Sequence, residues 1–174
     1  MEDNEYFELE EGESELVIAT EPIVVTDYSA HAQQVLLSAK TAAVTSPGGV
    51  MTCELLLCSL ISDPESAATL VLAQCGFTAE YVIHTIGFIG GTIPAQAPSE
   101  TVVASPRVER VLATASIEAG NRGADRIDTL HLLFALIREQ QGIAAVALEM
   151  PGVGHEMIGA ALSNAFRTGM TDPS

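Results

Sequence analysis

The sequence contains little positive charge. Its 174 residues include only seven Lys and Arg side chains against 23 Asp and Glu, which gives a formal net charge of -16 at pH 7. No Lys or Arg precedes Lys40. Binding to nucleic acid depends on clustered cations that meet the phosphates. We therefore do not expect nucleic acid as a partner.

Long apolar runs and a cationic leader are also missing. No segment reaches the roughly 20 uninterrupted apolar residues of a membrane-spanning helix, and the acidic start lacks the positive region of a signal peptide. We therefore expect a cytoplasmic protein without a membrane partner. A hydrophobic content of 48% with 17% charged residues indicates a globular body with a well-buried core.

The motifs of the common enzyme and metal sites are absent. The sequence has no G-x-x-x-x-G-K-[ST] loop for nucleotide phosphates, no G-x-S-x-G elbow and no H-E-x-x-H pair. Cys53, Cys58 and Cys75 lack the spacing of metal ligands and are expected to be buried, reduced thiols. We expect no enzymatic activity, no cofactor and no bound metal.

Acidic residues are concentrated at the N-terminus. Nine of the 23 acids lie within the first 21 residues. Such a run repels itself and buries little surface, so residues 1–25 are expected to form an acidic, disordered tail. The alternative is an interaction segment for a basic partner, anchored by Tyr6, Phe7 and Leu9.

What the sequence does contain is an internal repeat. A shift of 76 residues places 29–86 over 105–162 without a gap, and 13 of the 58 aligned positions are identical. The identical pairs are mainly apolar residues and a turn glycine, among them Val35/Val111, Leu36/Leu112, Leu56/Leu132, Leu57/Leu133, Leu60/Leu136, Ile61/Ile137, Leu72/Leu148 and Gly76/Gly152. Such a pattern indicates a duplicated packing unit rather than a catalytic motif.

Helix-capping residues and apolar spacing predict four helices in each unit. In the first unit, Ser29 opens one helix, Thr52 opens a very apolar central helix, Asp63 followed by proline begins a third, and Thr78 begins a fourth. The same order recurs after Ser105. No strand pair is expected. The predicted body covers residues 26–168, with repeat 1 at about 28–88, a linker at 89–103, repeat 2 at about 104–166, and a short tail at 167–174.

Several of these segments resemble a known family. The stretches S-x-x-A-Q-Q-V-L, T-C-E-L-L-L-C-S-L-I, S-P-R-V-E-R-V-L and D-T-L-H-L-L-F-A-L-I-R-E-Q-Q-G-I-A-A-V-A-L look like the double Clp repeat, the N-terminal domain of Clp/Hsp100 unfoldases. The resemblance implies an all-α domain of two four-helix repeats about a pseudo-twofold axis. It also implies a role in recruiting substrates and adaptors, here in a stand-alone form without the ATPase module.

The resemblance also implies binding residues at the start of each central helix. Family members carry Thr-Glu-His or a similar motif there, and its glutamate helps receive cationic or phosphoarginine-marked groups. Here Glu54 keeps the glutamate in repeat 1, whereas Thr129 and His131 keep the flanking residues in repeat 2 and Leu130 replaces the glutamate. Binding is therefore expected to be one-sided and weaker toward phosphoarginine than in members with both glutamates.

The helix-start residues Ser29 and Ser105 complete the set of candidate protein- or substrate-binding residues. Two of the candidates have a simpler alternative. Glu54 is favoured at a helix start by the helix dipole alone, and His131 is also typical of a core-edge histidine bonded to backbone or water.

The resulting hypothesis is a non-catalytic protein-binding module of the Clp chaperone and protease system. Its partners would be Clp ATPase or protease subunits, or client proteins. The alternatives are a structural, self-associating domain and a degenerate unfoldase remnant that binds a peptide or small ligand in the groove between the repeats.

Overall fold

The computed structural model describes residues 28–91, 97–149 and 152–173, which form eight α-helices and one short strand pair. The helices are α1 (Ala30–Ala43), α2 (Cys53–Ile61), α3 (Ala67–Gln74), α4 (Ala79–Gly90), α5 (Pro106–Asn121), α6 (Thr129–Glu139), α7 (Gly142–Ala147) and α8 (His155–Arg167). The expected acidic tail at 1–25 lies outside the described residues, as does part of the expected linker.

The helices fall into two equivalent sets of four. A shift of 76 residues places α1–α4 over α5–α8, so the duplicated sequence folds as a double repeat. The turn after the third helix of each set contains the repeated glycine, with φ of 88° at Gly76 and 86° at Gly152. Only glycine adopts this left-handed conformation without strain, which explains why both repeats keep it. The predicted all-α, pseudo-twofold architecture is confirmed.

Side-chain caps begin the first and central helices of both repeats, as the sequence predicted. The hydroxyls of Ser29 and Ser105 accept backbone N–H groups three residues later, at 3.1 and 3.3 Å. Thr52 and Asp128 do the same for α2 and α6 at 3.4 and 3.1 Å. These bonds satisfy helix-start N–H groups that otherwise lack partners.

The third helix begins later than the sequence indicated. The expected helix start at Asp63 is wrong, because α3 begins at Ala67. Its cap is Ser66, whose hydroxyl accepts the Thr69 N–H at 3.2 Å. The Asp63 carboxylate instead accepts the N–H of Glu65 and holds a turn between α2 and α3. At the other end of repeat 1, α4 continues to residue 90 rather than stopping near 88.

The expectation of no strand pair is also wrong. The strand β1 (Val50–Met51) pairs in parallel with β2 (Val103–Ala104). Strands of two residues are too short to show the alternation that identifies a strand in sequence. An isolated parallel bridge joins Tyr28 to Ile127.

These pairings cross between the repeats. The N–H of Ser29 donates to the Ile127 carbonyl at 2.9 Å, and the N–H of Ser105 donates to the Met51 carbonyl at 2.9 Å. In each case the chain entering the first helix of one repeat is bonded to the chain entering the central helix of the other repeat. The four helix starts are thereby arranged as two cross-repeat pairs.

The two repeats share one hydrophobic core. The central helices α2 and α6 contact each other, α3 packs on α8, and α4 packs on α7. The repeated leucines predicted to form the core are buried, with at most 3% exposure: Leu56, Leu57, Leu60, Leu132, Leu133 and Leu136. Cys53 and Cys75 are buried as expected, but Cys58 is partly exposed.

Burial of these leucines yields a stability prediction. Leu57→Ala and Leu133→Ala should each lower the free energy of unfolding by about 2–5 kcal/mol, because both side chains are fully buried and a cavity replaces each one. Leu37→Ala is the matched control, since Leu37 is 59% exposed. It should change the free energy by less than about 0.5 kcal/mol. Urea unfolding measures all three, and equal effects at positions 37 and 57 would contradict the packing.

A second prediction concerns pH. The Nδ1 atom of His31 on α1 lies 2.5 Å from Oδ2 of Asp63. This hydrogen bond raises the pKa of His31, helped by the charges of Asp63, Asp172 and Glu65 and opposed by burial. Because the folded-state pKa is raised, the stabilisation is complete below the pKa of an unfolded histidine, about 6.5, and is lost as pH rises through the folded-state value.

The test compares wild type with Asp63→Asn. The difference in unfolding free energy should be largest near about pH 5.5 and smaller near about pH 8.5, because the charged histidine is needed for the attraction. Urea titrations across this range measure it, and the subtraction removes other groups that titrate in both proteins. A difference that grows as the pH rises would show that the pair does not carry this charge interaction.

Candidate protein-binding site

The structure places four of the five candidate residues in two clusters of helix starts, and the fifth, His131, lies buried on α6. One cluster, called here the Asp172 cluster, consists of Ser29, Ala67, Thr129 and Asp172. The other, called the Glu54 cluster, consists of Cys53, Glu54, Ser105, Arg107 and Arg110. Each cluster combines residues from both repeats, because each cross-repeat pairing of the backbone lies at its base.

In the Asp172 cluster, one carboxylate binds the starts of three helices. Its Oδ2 accepts the Ser29 hydroxyl at 2.6 Å and the Thr129 N–H at 2.9 Å. Its Oδ1 accepts the Ala67 N–H at 3.0 Å and the Thr129 hydroxyl at 2.5 Å. These residues lie at the starts of α1, α3 and α6. A negative charge is favoured there, because the free N–H groups and the helix dipoles are positive.

The chain reaches this position by reversing after α8. Gly169 has a φ of 72°, and the Met170 N–H donates to the Ala165 carbonyl at 3.0 Å. This left-handed ending turns the chain back across α8. The sequence predicted only a short tail at residues 167–174. It did not predict the hydrogen bonds that Asp172 makes to the helix starts. No local pattern marks Asp172, since it lies 143 residues from Ser29 in sequence.

Both repeat-2 candidates on α6 are buried. Thr129 has no exposure and His131 has 3%. The Nδ1 atom of His131 lies 3.1 Å from the Asp128 N and 2.7 Å from the Asp128 Oδ1, and its ring lies 5.2 Å from that of Phe166. Whichever Asp128 group Nδ1 bonds, Nε2 is left without a hydrogen-bond partner among the described residues. Because Thr129 and His131 are both buried, a partner cannot contact them directly in this conformation.

The Glu54 cluster is more open. Glu54 lies in the first turn of α2, is partly exposed, and makes no hydrogen bond or ion pair with the described residues. Across the repeat boundary, Ser105 caps α5 and is bonded to the backbone before α2. Arg107 and Arg110 follow on α5, and each lies 3.1 Å from Oε1 of Glu139. No motif in the sequence predicts a place for these two arginines beside Glu54.

The thiol of Cys53 lies among these charges. Burial raises its pKa to about 11; Arg107 opposes the shift, while Glu54 and Glu139 add to it. The thiol therefore stays protonated at neutral pH and is a packing group rather than a nucleophile. Charged groups of both repeats therefore act on the thiol at the start of α2.

Position 54 and its repeat-2 equivalent differ in burial. Glu54 is partly exposed, whereas Leu130 is fully buried in the core. A carboxylate at position 130 would lose its water without gaining a cation, which is costly. The loss of the second glutamate is thus consistent with the packing around α6.

The hydrogen bonds group the candidates across the repeats. Ser29 is joined to Thr129 through Asp172, and Ser105 is joined to the start of α2, where Glu54 lies. No hydrogen bond connects Ser29 with Glu54 in the described chain. The hydrogen bonds at these helix starts therefore run across the repeats.

The described residues show no group of three His, Cys, Asp or Glu side chains arranged to hold a metal ion. Within the same ranges, no helix has the length and apolar character to cross a membrane.

Comparison with known proteins gives relatives in the Clp system. The chain is 29% identical over 126 residues to the negative regulator of genetic competence ClpC/MecB of Bacillus subtilis, covering 72% of this chain and 15% of that protein. It is 32% identical over 114 residues to the ATP-dependent Clp protease ATP-binding subunit ClpC of Staphylococcus epidermidis, covering 66% of this chain and 14% of that protein. The chain thus spans about one seventh of these relatives.

Solved structures share the fold. The Hsp104 N-terminal domain of Candida albicans superposes with a TM-score of 0.68 at 15% identity, covering 84% of this chain and 94% of that one. The N-domain of ClpV from Vibrio cholerae gives 0.66 at 19% identity, with coverages of 86% and 89%. The N-terminal domain of ClpD from Arabidopsis thaliana gives 0.63 at 17%, with coverages of 84% and 99%.

The family model of the Clp repeat (R) N-terminal domain matches residues 27–151. This range begins just before α1 and includes all of the first seven helices. The chain belongs to the Clp repeat N-terminal domain family.

Proposed function

We propose that the chain is a non-catalytic protein-binding module of the Clp chaperone and protease system. It acts as an adaptor, accessory or regulatory factor that binds a Clp ATPase, a protease subunit or a client protein. Membership of the family supports the general role, and the open Glu54 cluster supports the site. The relatives' own names include ATP-binding subunits and a negative regulator of competence, and this chain matches about one seventh of their length.

The observation that carries the proposal is the unpaired carboxylate of Glu54. The nearby cations, Arg107 and Arg110, are both bonded to Glu139, so Glu54 is the acid of this cluster that has no partner among the described residues. A carboxylate fixed at a helix start can accept two N–H groups from a guanidinium in a bidentate pair. An arginine of a partner protein is the ligand that fits.

The arginines broaden what the cluster can hold. Arg110 is 58% exposed at its side chain, and it stands on the helix that Ser105 caps. A partner segment that places a cation on Glu54 can place an acidic group near Arg110. This mixture of charges favours a protein segment of mixed charge over nucleic acid or a purely basic ligand.

Replacing Glu54 tests the proposal. Glu54→Ala should weaken binding to the partner by about 1–3 kcal/mol, the usual loss when a charged hydrogen-bond partner is removed. The partner is first recovered from a lysate of the producing cells, identified as a Clp subunit or a client, and purified. Its affinity for wild type and variant is then measured by calorimetry.

Glu80→Ala is the matched control. Glu80 is also an acidic residue in the first turn of a helix, α4, and it is exposed. The Glu80→Ala variant should therefore lose one negative charge and the stabilisation by the helix dipole, as Glu54→Ala does, but its affinity for the partner should not change. Equal affinity of wild type and Glu54→Ala for every recovered partner would show that Glu54 acts only on its own helix. Recovery of the chain itself, with concentration-dependent association, would favour a structural role instead.

A further inference from the structure

Residues 169–173, called here the strap, form one wall of an open groove that the start of α1 also lines. The groove is lined by the loop after α5, the start of α6, the end of α8 and the strap itself. Its side chains include Arg122, Arg126, His131 and Phe166. The strap is attached at the Asp172 cluster, where one side chain makes its long-range hydrogen bonds. It therefore acts as a peptide ligand built into the chain.

Two features of the Asp172 cluster and the groove beside it favour a carboxylate ligand. The first is the set of four donors around Asp172, drawn from the starts of α1, α3 and α6. The second is His131, which lines the same groove, is 3% exposed, and has an Nε2 atom without a partner among the described residues. A buried polar atom of this kind costs free energy until a ligand satisfies it.

Two cations stand at the groove. Arg122 stacks on the Phe166 ring, with its guanidinium carbon 3.7 Å from the ring centre, and pairs with Glu118. Arg126 is exposed and makes no ion pair or hydrogen bond with the described residues. Three acids, Asp125, Asp128 and Asp172, line the same groove, so the two arginines are local cations in a groove that is not positive overall.

We propose that the donors of the Asp172 cluster bind an aspartate of a partner protein's peptide segment that lies in this groove, and that Asp172 occupies those donors as an internal competitor. The present occupant defines the ligand, a Thr-Asp-Pro segment whose carboxylate reaches three helix starts. A partner peptide replaces the strap by presenting the same group, and Arg126 supplies an unpaired cation for a further acidic residue. The site differs from the Glu54 cluster in position and in the charge of its ligand.

The proposal predicts that removing the competitor strengthens peptide binding. The probe is a labelled, N-acetylated peptide with the sequence Gly-Met-Thr-Asp-Pro-Ser, called the Asp peptide. The control, called the Asn peptide, carries Asn in place of Asp. Asp172→Ala should bind the Asp peptide about tenfold or more tightly than wild type, because the competent open state is no longer suppressed. The Asn peptide should bind both proteins weakly. Fluorescence anisotropy measures the binding at about 0.15 M salt. At this ionic strength the Debye length is about 8 Å, so the salt screens repulsion between the peptide and distant acids of the protein.

Three controls separate this mechanism from others. Asp125→Ala removes an acid that lines the same groove but makes no hydrogen bond with the described residues, so it measures the effect of lost repulsion alone, and its gain in affinity should be well below that of Asp172→Ala. Ser29→Ala added to Asp172→Ala should reduce the gained affinity by removing one donor. Glu54→Ala should leave the affinity for the Asp peptide unchanged, because Glu54 does not line this groove. The test of this site is therefore independent of the test of the Glu54 cluster.

Circular dichroism first establishes that each variant is folded. If Asp172→Ala does not fold, Asp172→Asn is used, which keeps one acceptor oxygen and should give a smaller gain. Amide exchange in the wild type gives a further measurement, because excess Asp peptide should protect Ala67 and Thr129 while releasing the Met170 N–H. Equal peptide affinity of wild type and the Asp172 variant, or equal binding of the Asp and Asn peptides, would overturn the proposal. Exchange of the strap between two wild-type copies would assign the groove to a second copy and would also overturn it.

Discussion

The crossing of the backbone between the repeats determines where every candidate binding group lies. The segment entering α1 is bonded to the segment entering α6, and the segment entering α5 is bonded to the segment entering α2. Helix starts carry free N–H groups and positive dipole ends. Because the crossing brings these starts together in pairs, it produces two polar clusters on an otherwise apolar double repeat. The shared core then fixes the clusters, since α2 and α6 pack directly on each other.

The same backbone arrangement supports two different chemistries. At the start of α2, a partly exposed Glu54 lies beside a capped α5 that carries two arginines. At the start of α6, the equivalent position is a buried leucine, and the charge comes instead from Asp172 outside the repeat. One cluster thus presents a free carboxylate, whereas the other surrounds a carboxylate with donors. The two proposed sites would thus favour ligand groups of opposite charge on one duplicated fold.

Features that depend on nearby residues could be predicted from the sequence. The helix caps at Ser29 and Ser105, the repeated core leucines and the turn glycines all follow from local spacing, and the structure confirms them. The start of α3 was misplaced because Asp63 and Ser66 are both good caps, and only the tertiary bond from Asp63 to His31 distinguishes them. The contacts of Asp172 span 43 to 143 residues and involve backbone N–H groups, so no sequence pattern reports them.

The strap also explains how the donors of the Asp172 cluster could form a binding site without being free in the unbound protein. A carboxylate that replaces Asp172 makes the same hydrogen bonds, so the exchange itself changes the free energy little. The internal ligand has the advantage of its tether, because a short connection gives an effective concentration in the millimolar range. A free peptide with the same aspartate is therefore a weak competitor. A partner protein must add contacts that the strap lacks, and the unpaired Arg126 and buried Nε2 of His131 are the groups in this groove that can provide them.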